Sequence, residues 1–384
     1  MAKRKVAVIT GTRADYGILR PVLAALKASP GLELQLIVTG MHLAAEFGNT
    51  INDIVNDGYP VIAKVEMLLR GDSRSAMAKA LGIGLMGLVQ ALEELQPDFL
   101  LVLGDRGEML AGAIAAAHLG IVVAHIHGGE LSGSIDNSIR HAITKFAHLH
   151  FPATVAAAEV LKASGESPDR IIVAGAPGLD DLESGLKVSR GTLEAAVGFP
   201  LASRFIVAVF HPVVGEELKS RTEFEALLQA LAKLNEQTLL LLPNSDAGRD
   251  VILQTLQNSA PNPKLQLLRH LPRPLYLGLM AQAALMVGNS SSGVIEAPAL
   301  GLPVLNLGGR QRGRLRGTNL IDLETHDAGV IEAALRALLG QSQQPKTPDS
   351  QNPYRGGASQ LIAATLSTVV IDEKLLQKSF AFEG

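Results

Sequence analysis

Short apolar runs alternate with stretches of helical period along most of this chain, and that alternation restricts the fold more than any other feature. Residues 6–10, 33–39, 99–103 and 121–125 are mostly aliphatic or β-branched. Between them, 18–28, 76–95 and 109–119 carry helical spacing, and 135–147 places Ile135, Ile139, Ile143 and Phe146 on one helical face. Residues 148–152 and 171–173 read as further strands. Nearly continuous apolar strands are buried on both faces, and parallel neighbours need a helical crossover. The order therefore predicts an α/β chain with a parallel sheet covered by helices on both sides.

After a loop-rich stretch, 175–200, the pattern restarts. Strands are expected at 205–210, 238–242, 265–268, 284–287 and 304–307, with helices at 223–234, 274–283, 293–300 and 328–339. A length of 384 residues suits two domains better than one. They are expected at 1–178 and 179–384, with 341–353 an exposed loop. A closing helix at 359–370 has the option of packing back on the first domain.

Composition removes several classes. The net charge is −3 and no sustained basic run exists, so nucleic acid is not an expected partner. With no cysteine, disulfides, thiolate catalysis and Cys-ligated zinc are excluded. The basic start Met1-Ala2-Lys3-Arg4-Lys5 leads into an apolar run too short for a signal peptide. No apolar segment is expected to reach the roughly 20 residues that span a bilayer. Glycines 82, 84 and 87 interrupt 81–92, which reads as a buried or interface helix. The expectation is a soluble, cytoplasmic protein with no membrane partner.

Ligands of open α/β sheets bind outside the carboxyl ends of the strands. Two such ends, those of 100–103 and 121–124, have ionisable groups gathered close by. Gly104-Asp105-Arg106, His125-Ile126-His127-Gly128-Gly129-Glu130 and Asp136-Asn137-Ser138-Ile139-Arg140-His141 gather acids and imidazoles, a pattern that favours proton chemistry over packing. Gly11-Thr12-Arg13-Ala14-Asp15-Tyr16-Gly17 follows the first strand and is neither a dinucleotide fingerprint nor a Walker loop. It reads as a loop whose N–H groups and Arg13 meet an anion. Gly288-Asn289-Ser290-Ser291-Ser292-Gly293 precedes a helix, and its hydroxyls and N–H groups suit a diphosphate. Glu296 stands one turn further on, where a carboxylate accepts from a ribose hydroxyl or is merely solvated. His211 ends a strand before Pro212, as an acid/base or phosphate partner. Arg310, Arg312, Arg314 and Arg316 suit a small anion or a solvated loop. His125, His127 and Asp105 do not make a closed metal set, so no metal is expected.

Together these motifs resemble the UDP-N-acetylglucosamine 2-epimerases, in particular the hydrolysing branch that feeds sialic-acid-type pathways. The match adds Val38-Thr39-Gly40-Met41-His42-Leu43, Pro243-Asn244-Ser245-Asp246-Ala247-Gly248 and the segment 308–314, and extends to about Leu320. The resemblance implies a GT-B fold of two Rossmann-like domains with a central cleft, no cofactor, and a homodimer or homotetramer. It implies that a base takes the proton from carbon 2 of the sugar as UDP leaves carbon 1, and that water then adds to the glycal-like intermediate. Catalysis is thereby assigned to Asp105, His127, Glu130, Asp136 and His211. Arg13, His211, His270, Ser290, Ser291, Gly293, Glu296 and Arg310 are assigned to UDP, and Asp105, Asn137, Arg140 and His42 to the sugar. Non-hydrolysing members carry Glu where this chain has His127, so the carbon-2 base stays open between His127 and Glu130. Asn137 stands where relatives often carry a second acid, which leaves Asp136 alone in that role.

The reading that follows is hydrolysis of UDP-N-acetylglucosamine to N-acetylmannosamine and UDP, with inversion at carbon 2. The same chemistry on a UDP- or GDP-linked 2,4-diacetamido-2,4,6-trideoxyhexose, in a legionaminic-acid-type pathway, is the alternative. A nucleotide-sugar-binding regulator without turnover is the second alternative. A glycosyltransferase of the same fold fits less well, because it would need an acceptor site in place of the clustered acids and bases.

Overall fold

The computed structural model describes residues 3–69, 71, 73–342, 346–379 and 381. Residues 343–345 of the expected loop 341–353 lie outside the described residues, as do Met1 and Ala2 of the basic start. The chain forms two compact units. One comprises Met1–Leu131, Ile135–Asp180 and Tyr354–Gly384, and the other Ser132–Ser134 and Asp181–Pro353.

The first unit runs β1 (Arg4–Thr10), α1 (Arg13–Ala28), β2 (Leu32–Thr39), α2 (Ile51–Asn56), β3 (Val61–Val65), α3 (Arg74–Leu95), β4 (Phe99–Leu103) and α4 (Gly107–His118). It continues with β5 (Val122–Ile126), α5 (Ile135–Phe146), β6 (Leu149–Phe151) and α6 (Val155–Ala163). Its six strands are parallel in the order β3-β2-β1-β4-β5-β6. Side chains alternate across a strand. Val6 and Val8 therefore face one layer, with Leu19, Leu23 and Leu26 of α1, while Ala7 and Ile9 face the other, with Leu88 and Leu92 of α3 and Met109 of α4.

The second unit runs α7 (Leu182–Leu186), α8 (Arg190–Val197), β7 (Phe205–Val209), α9 (Glu217–Leu234), β8 (Gln237–Leu241), α10 (Arg249–Asn258), β9 (Leu265–Leu268) and α11 (Arg273–Gln282). β10 (Leu285–Gly288), α12 (Ser292–Ala299), β11 (Val304–Leu307), β12 (Leu320–Leu323) and α13 (Ala328–Gln341) complete it. Its six parallel strands lie in the order β12-β11-β10-β7-β8-β9. Counted from the first strand of each unit, both orders are the doubly wound 3-2-1-4-5-6. The strand order reverses between β1 and β4 in one unit and between β7 and β10 in the other.

The last helices, α14 (Ala358–Thr368) and α15 (Glu373–Leu376), belong to the first unit. Ile362 and Leu366 of α14 join the layer of α1, and Arg4 donates to the carbonyls of Leu366 at 3.0 Å and Val369 at 2.6 Å. Arg170 donates to the carbonyls of Lys374 and Leu375.

Several expectations need correction. The stretch 175–200 holds α7 and α8 instead of a long loop, and residues 171–173 make a single bridge between His150 and Ile171 instead of a strand. β3, β12, α2, α6 and α10 were not expected; the exposed alternate residues of β3 hide its strand pattern. The helix α3 runs 22 residues and is long and apolar enough, by length and composition, to cross a membrane. Its glycines do not break it. Gly84 and Gly87 let Met67 and Val65 approach, and Ala80, Leu88, Ala91 and Leu92 pack inward.

Candidate active site

In the first unit the strand ends converge on a buried guanidinium. Gly104 closes β4, and the next residue, Asp105, pairs with Arg140 of α5. The Arg140 side chain is fully buried and also donates to the Glu130 carbonyl at 2.8 Å. A buried cation is tolerable only when paired and hydrogen-bonded. One residue thus ties the Gly104 loop, the Glu130 turn and α5 together. His125, at the end of β5, pins the same place: its Nε2 meets the Gly104 carbonyl at 2.8 Å, so that nitrogen carries the proton. Burial pushes His125 down to about 3, which keeps it neutral.

Beyond β5 the backbone turns sharply. His127 adopts a left-handed φ of 63°, and Gly129 follows at 81°. A Cβ at Gly129 would stand 2.1 Å from the Ala157 carbonyl oxygen, so only glycine fits the approach to α6. A left-handed non-glycine residue costs about 1–3 kcal/mol and is held by its surroundings. Here Glu130 supplies the hold, with Oε1 2.8 Å from His127 Nδ1 and both side chains almost buried. The carboxylate fixes the ring and directs Nε2 the opposite way. Asp136 and Asn137 sit half-buried in the first turn of α5, one turn before Arg140. His141 follows Arg140, and burial and that guanidinium lower its pKa.

The Gly11–Gly17 motif, expected as a loop, begins α1 at Arg13. Thr12 and Asp15 form a capping box: Thr12 N–H donates to Asp15 Oδ2 at 2.8 Å, and Asp15 N–H donates to Thr12 Oγ1 at 3.2 Å. Burial, then the neighbouring Glu108, pushes Asp15 up to about 6. Arg13 is half-exposed in the first turn, where the helix dipole favours an anion. His42, expected at the sugar, is fully buried instead. Its Nε2 lies 3.1 Å from Thr10 Oγ1 and its Nδ1 2.8 Å from Thr50 Oγ1, so it braces the strand end from beneath.

In the second unit, His211 and Asn289 face each other across the switch point between β7 and β10. His211 N–H donates to Asn289 Oδ1 at 2.7 Å, and Asn289 Nδ2 donates to the His211 carbonyl at 2.8 Å. Arg310, which follows β11, donates to the Asn289 carbonyl at 3.1 Å, and Gln311 donates to it at 2.8 Å. Ser290 and Ser291 lead into α12, and the Ser291 side chain makes no capping bond. The Tyr276 hydroxyl bonds to Ser292 and Ser290, and burial pushes it up to about 12. Glu296 is buried and paired with Arg273 at 2.6 Å, so it is neither solvated nor unengaged. Gly293 packs against Val304 inside the helix. The arginine cluster divides: Arg312 pairs with Glu324 and Arg316 with Asp322, while Arg310 turns to the serine loop. His270 follows β9 at the far edge of the sheet, two strands from β7.

Among the described residues, no group of three or more acids and histidines is placed to hold a metal ion. Sequence reasoning overlooked Asn289, Gln311, Tyr276 and Arg273. Asn289 stood inside the Gly288–Gly293 motif, but only its serines and glycine were given a role.

Two doubly wound parallel sheets, with ionisable side chains at their strand ends, define a GT-B-type enzyme fold. The chain belongs to the UDP-N-acetylglucosamine 2-epimerase family, which matches residues 24–367, and it is an enzyme. It is 40% identical over 380 residues to the UDP-N,N'-diacetylbacillosamine 2-epimerase (hydrolyzing) of Legionella pneumophila, covering 99% of this chain and 100% of that protein. It is 34% identical over 345 residues to a UDP-N-acetylglucosamine 2-epimerase of Neisseria meningitidis serogroup B, covering 90% of each. The fold is similar to the crystal structure of UDP-GlcNAc 2-epimerase from Neisseria meningitidis bound to UDP-GlcNAc, with a TM-score of 0.77 and 19% identity over 94% of this chain and 99% of that one.

Proposed function

We propose that this protein is a hydrolysing 2-epimerase whose substrate is a UDP-linked 2,4-diacetamido-2,4,6-trideoxyhexose, with the free 2-epimeric sugar and UDP as products. The observation that carries this reading is the 40% identity, end to end, to a relative named for that substrate and for hydrolysis. Hydrolysis of UDP-N-acetylglucosamine to N-acetylmannosamine is the second reading; the 34% identity to a relative named for UDP-N-acetylglucosamine favours it.

The chemistry needs both an acid/base group and a stabilised leaving group, because a proton beside an acetamido carbon is weakly acidic. His127, oriented by Glu130, takes the proton from carbon 2. The carbon 1–oxygen bond breaks, its electron pair goes to the diphosphate, and a carbon 1–carbon 2 double bond forms. Water then adds, its oxygen to carbon 1 and a proton to carbon 2 on the opposite face, with Asp105 and Asp136 handling those protons. His211, Arg310, Arg13 and the Ser290–Ser291 turn meet the departing diphosphate. Arg140 holds Asp105 in place. Association into a homodimer or homotetramer and a cytoplasmic location belong to the same proposal.

The test is proton NMR in heavy water with each UDP-sugar. Release of UDP with an equal amount of free sugar deuterated at carbon 2, faster from the 2,4-diacetamido-trideoxy substrate, is the expected result. Faster turnover of UDP-N-acetylglucosamine moves the protein to the second reading. UDP binding without release from either sugar overturns both.

A further inference from the structure

We infer that Asn289 is the positioning residue of the diphosphate side, holding His211 and Arg310 in a fixed mutual register. The inference rests on the proposed role of His211 at the leaving group. Asn289 lies at the carboxyl end of β10, immediately after the last ladder pair, Val209 with Gly288. Its N–H still donates to the Val209 carbonyl at 3.0 Å. Beyond that point Pro212 has no N–H to offer, and β7 leaves the sheet. The Asn289 carboxamide replaces the missing ladder. It presents an NH2 donor and a carbonyl acceptor on one planar group, and uses one N–H on the His211 carbonyl at 2.8 Å and the oxygen on the His211 N–H at 2.7 Å. The Asn289 main-chain carbonyl completes the arrangement by accepting from Arg310 and Gln311.

The whole residue is 1% exposed, so water does not compete for these bonds. No other side chain of this size meets both groups. Aspartate would set a second acceptor against the His211 carbonyl, and leucine would leave two polar groups unsatisfied. Gly288 permits the approach: its φ is 129°, and a Cβ there would stand 2.0 Å from the Val209 carbonyl oxygen. The Asn289 side chain thus sets where the His211 main chain leaves β7, and its main-chain carbonyl sets where the Arg310 guanidinium ends.

The experiment is a double-mutant cycle on the full chain with Asn289→Asp, Asn289→Ala and His211→Ala, each checked for folding by melting temperature. Displacing a working group by about 1 Å costs about 100-fold in rate. Asn289→Ala is expected to lower kcat by about that factor, and the double variant to be no slower than His211→Ala. A purely structural Asn289 predicts that the two losses multiply, and that outcome overturns the inference. The His211 ring-proton resonance, assigned by its loss in His211→Ala, supplies a readout independent of turnover. It should move in Asn289→Asp at unchanged fold; a resonance identical to wild type also overturns the inference. Absence of turnover in the wild type would instead count against the proposed function, while the resonance still tests Asn289.

Discussion

Oε1 of Glu130 lies 2.8 Å from Nδ1 of His127, across a turn in which His127 itself holds a left-handed backbone. The carboxylate both orients the ring and compensates the strain. In general acid–base catalysis such a pair is worth about 100- to 10,000-fold. Glu130→Gln keeps the shape and removes the charge. It should lower kcat within that range, and combining it with His127→Ala should add little, because one unit is removed twice. Deuterium incorporation at carbon 2 follows the same step; full incorporation by Glu130→Gln would exclude this pair as the base.

Asp105→Asn should stop turnover while UDP still binds, as calorimetry would read. The structure adds a stability effect. Arg140 is fully buried, and weakening its charged partner should cost about 1–3 kcal/mol in urea unfolding. Because the penalty is an uncompensated buried charge, the double variant with Arg140→Met should recover part of it. If Asp105→Asn loses UDP binding as well, Asp105 is a structural residue.

The buried carboxyl of Glu166 gives a pH signature unrelated to catalysis. Burial alone raises it, but hydrogen bonds from His150 and from Lys378 outweigh that and hold it near 2. Its folded value is therefore depressed, so its stabilisation is complete above the unfolded value and is lost as pH falls toward about 2. Lys378, only 2.6 Å from Glu166, also donates to the carbonyls of Thr144 and Lys145 at the end of α5. Lys378→Met should lower the melting temperature at pH 7, and the gap from wild type should narrow below pH 4. A constant gap across that range would remove Glu166 from the account.

Glycine substitutions separate tight from open backbone. Gly288→Ala forces a side chain onto the Val209 carbonyl at a φ of 129° and should cost more than about 2 kcal/mol. Gly82, mid-helix in α3, has nothing within 4 Å of a would-be Cβ. Gly82→Ala should stabilise by about 0.5–1 kcal/mol. Chemical denaturation of both variants reads the contrast; equal effects would contradict the packing described for Gly288.

How much of this was legible beforehand depends on whether a signal is local. Central strands such as β1 and β4 carry unbroken apolar runs, because burial on both faces leaves no polar alternation, and they were read to within two residues. The edge strands β3 and β12 lie at the rim of their sheets, where half-exposed residues dilute the pattern, and they were not read. The helices of 175–200 are too short for a period to stand out.

The candidate site divides in the same way. Which residue types stand at the strand ends, Asp105, His127, Glu130, His211 and the serine loop, is a property of the sequence, since strand ends are located by the apolar runs they close. Which of those groups meet is not. That Arg140 reaches Asp105, that His42 is sealed beneath Thr10, that Glu296 is taken up by Arg273 and that Asn289 grips His211 all depend on strand order, which joins residues 35, 32, 23 and 78 positions apart. The sequence by itself determined the inventory of chemical groups and the repeated strand–helix order. Only the tertiary structure decided the pairing, because a hydrogen bond is fixed by distance and direction in space, and neither can be read from spacing along a chain.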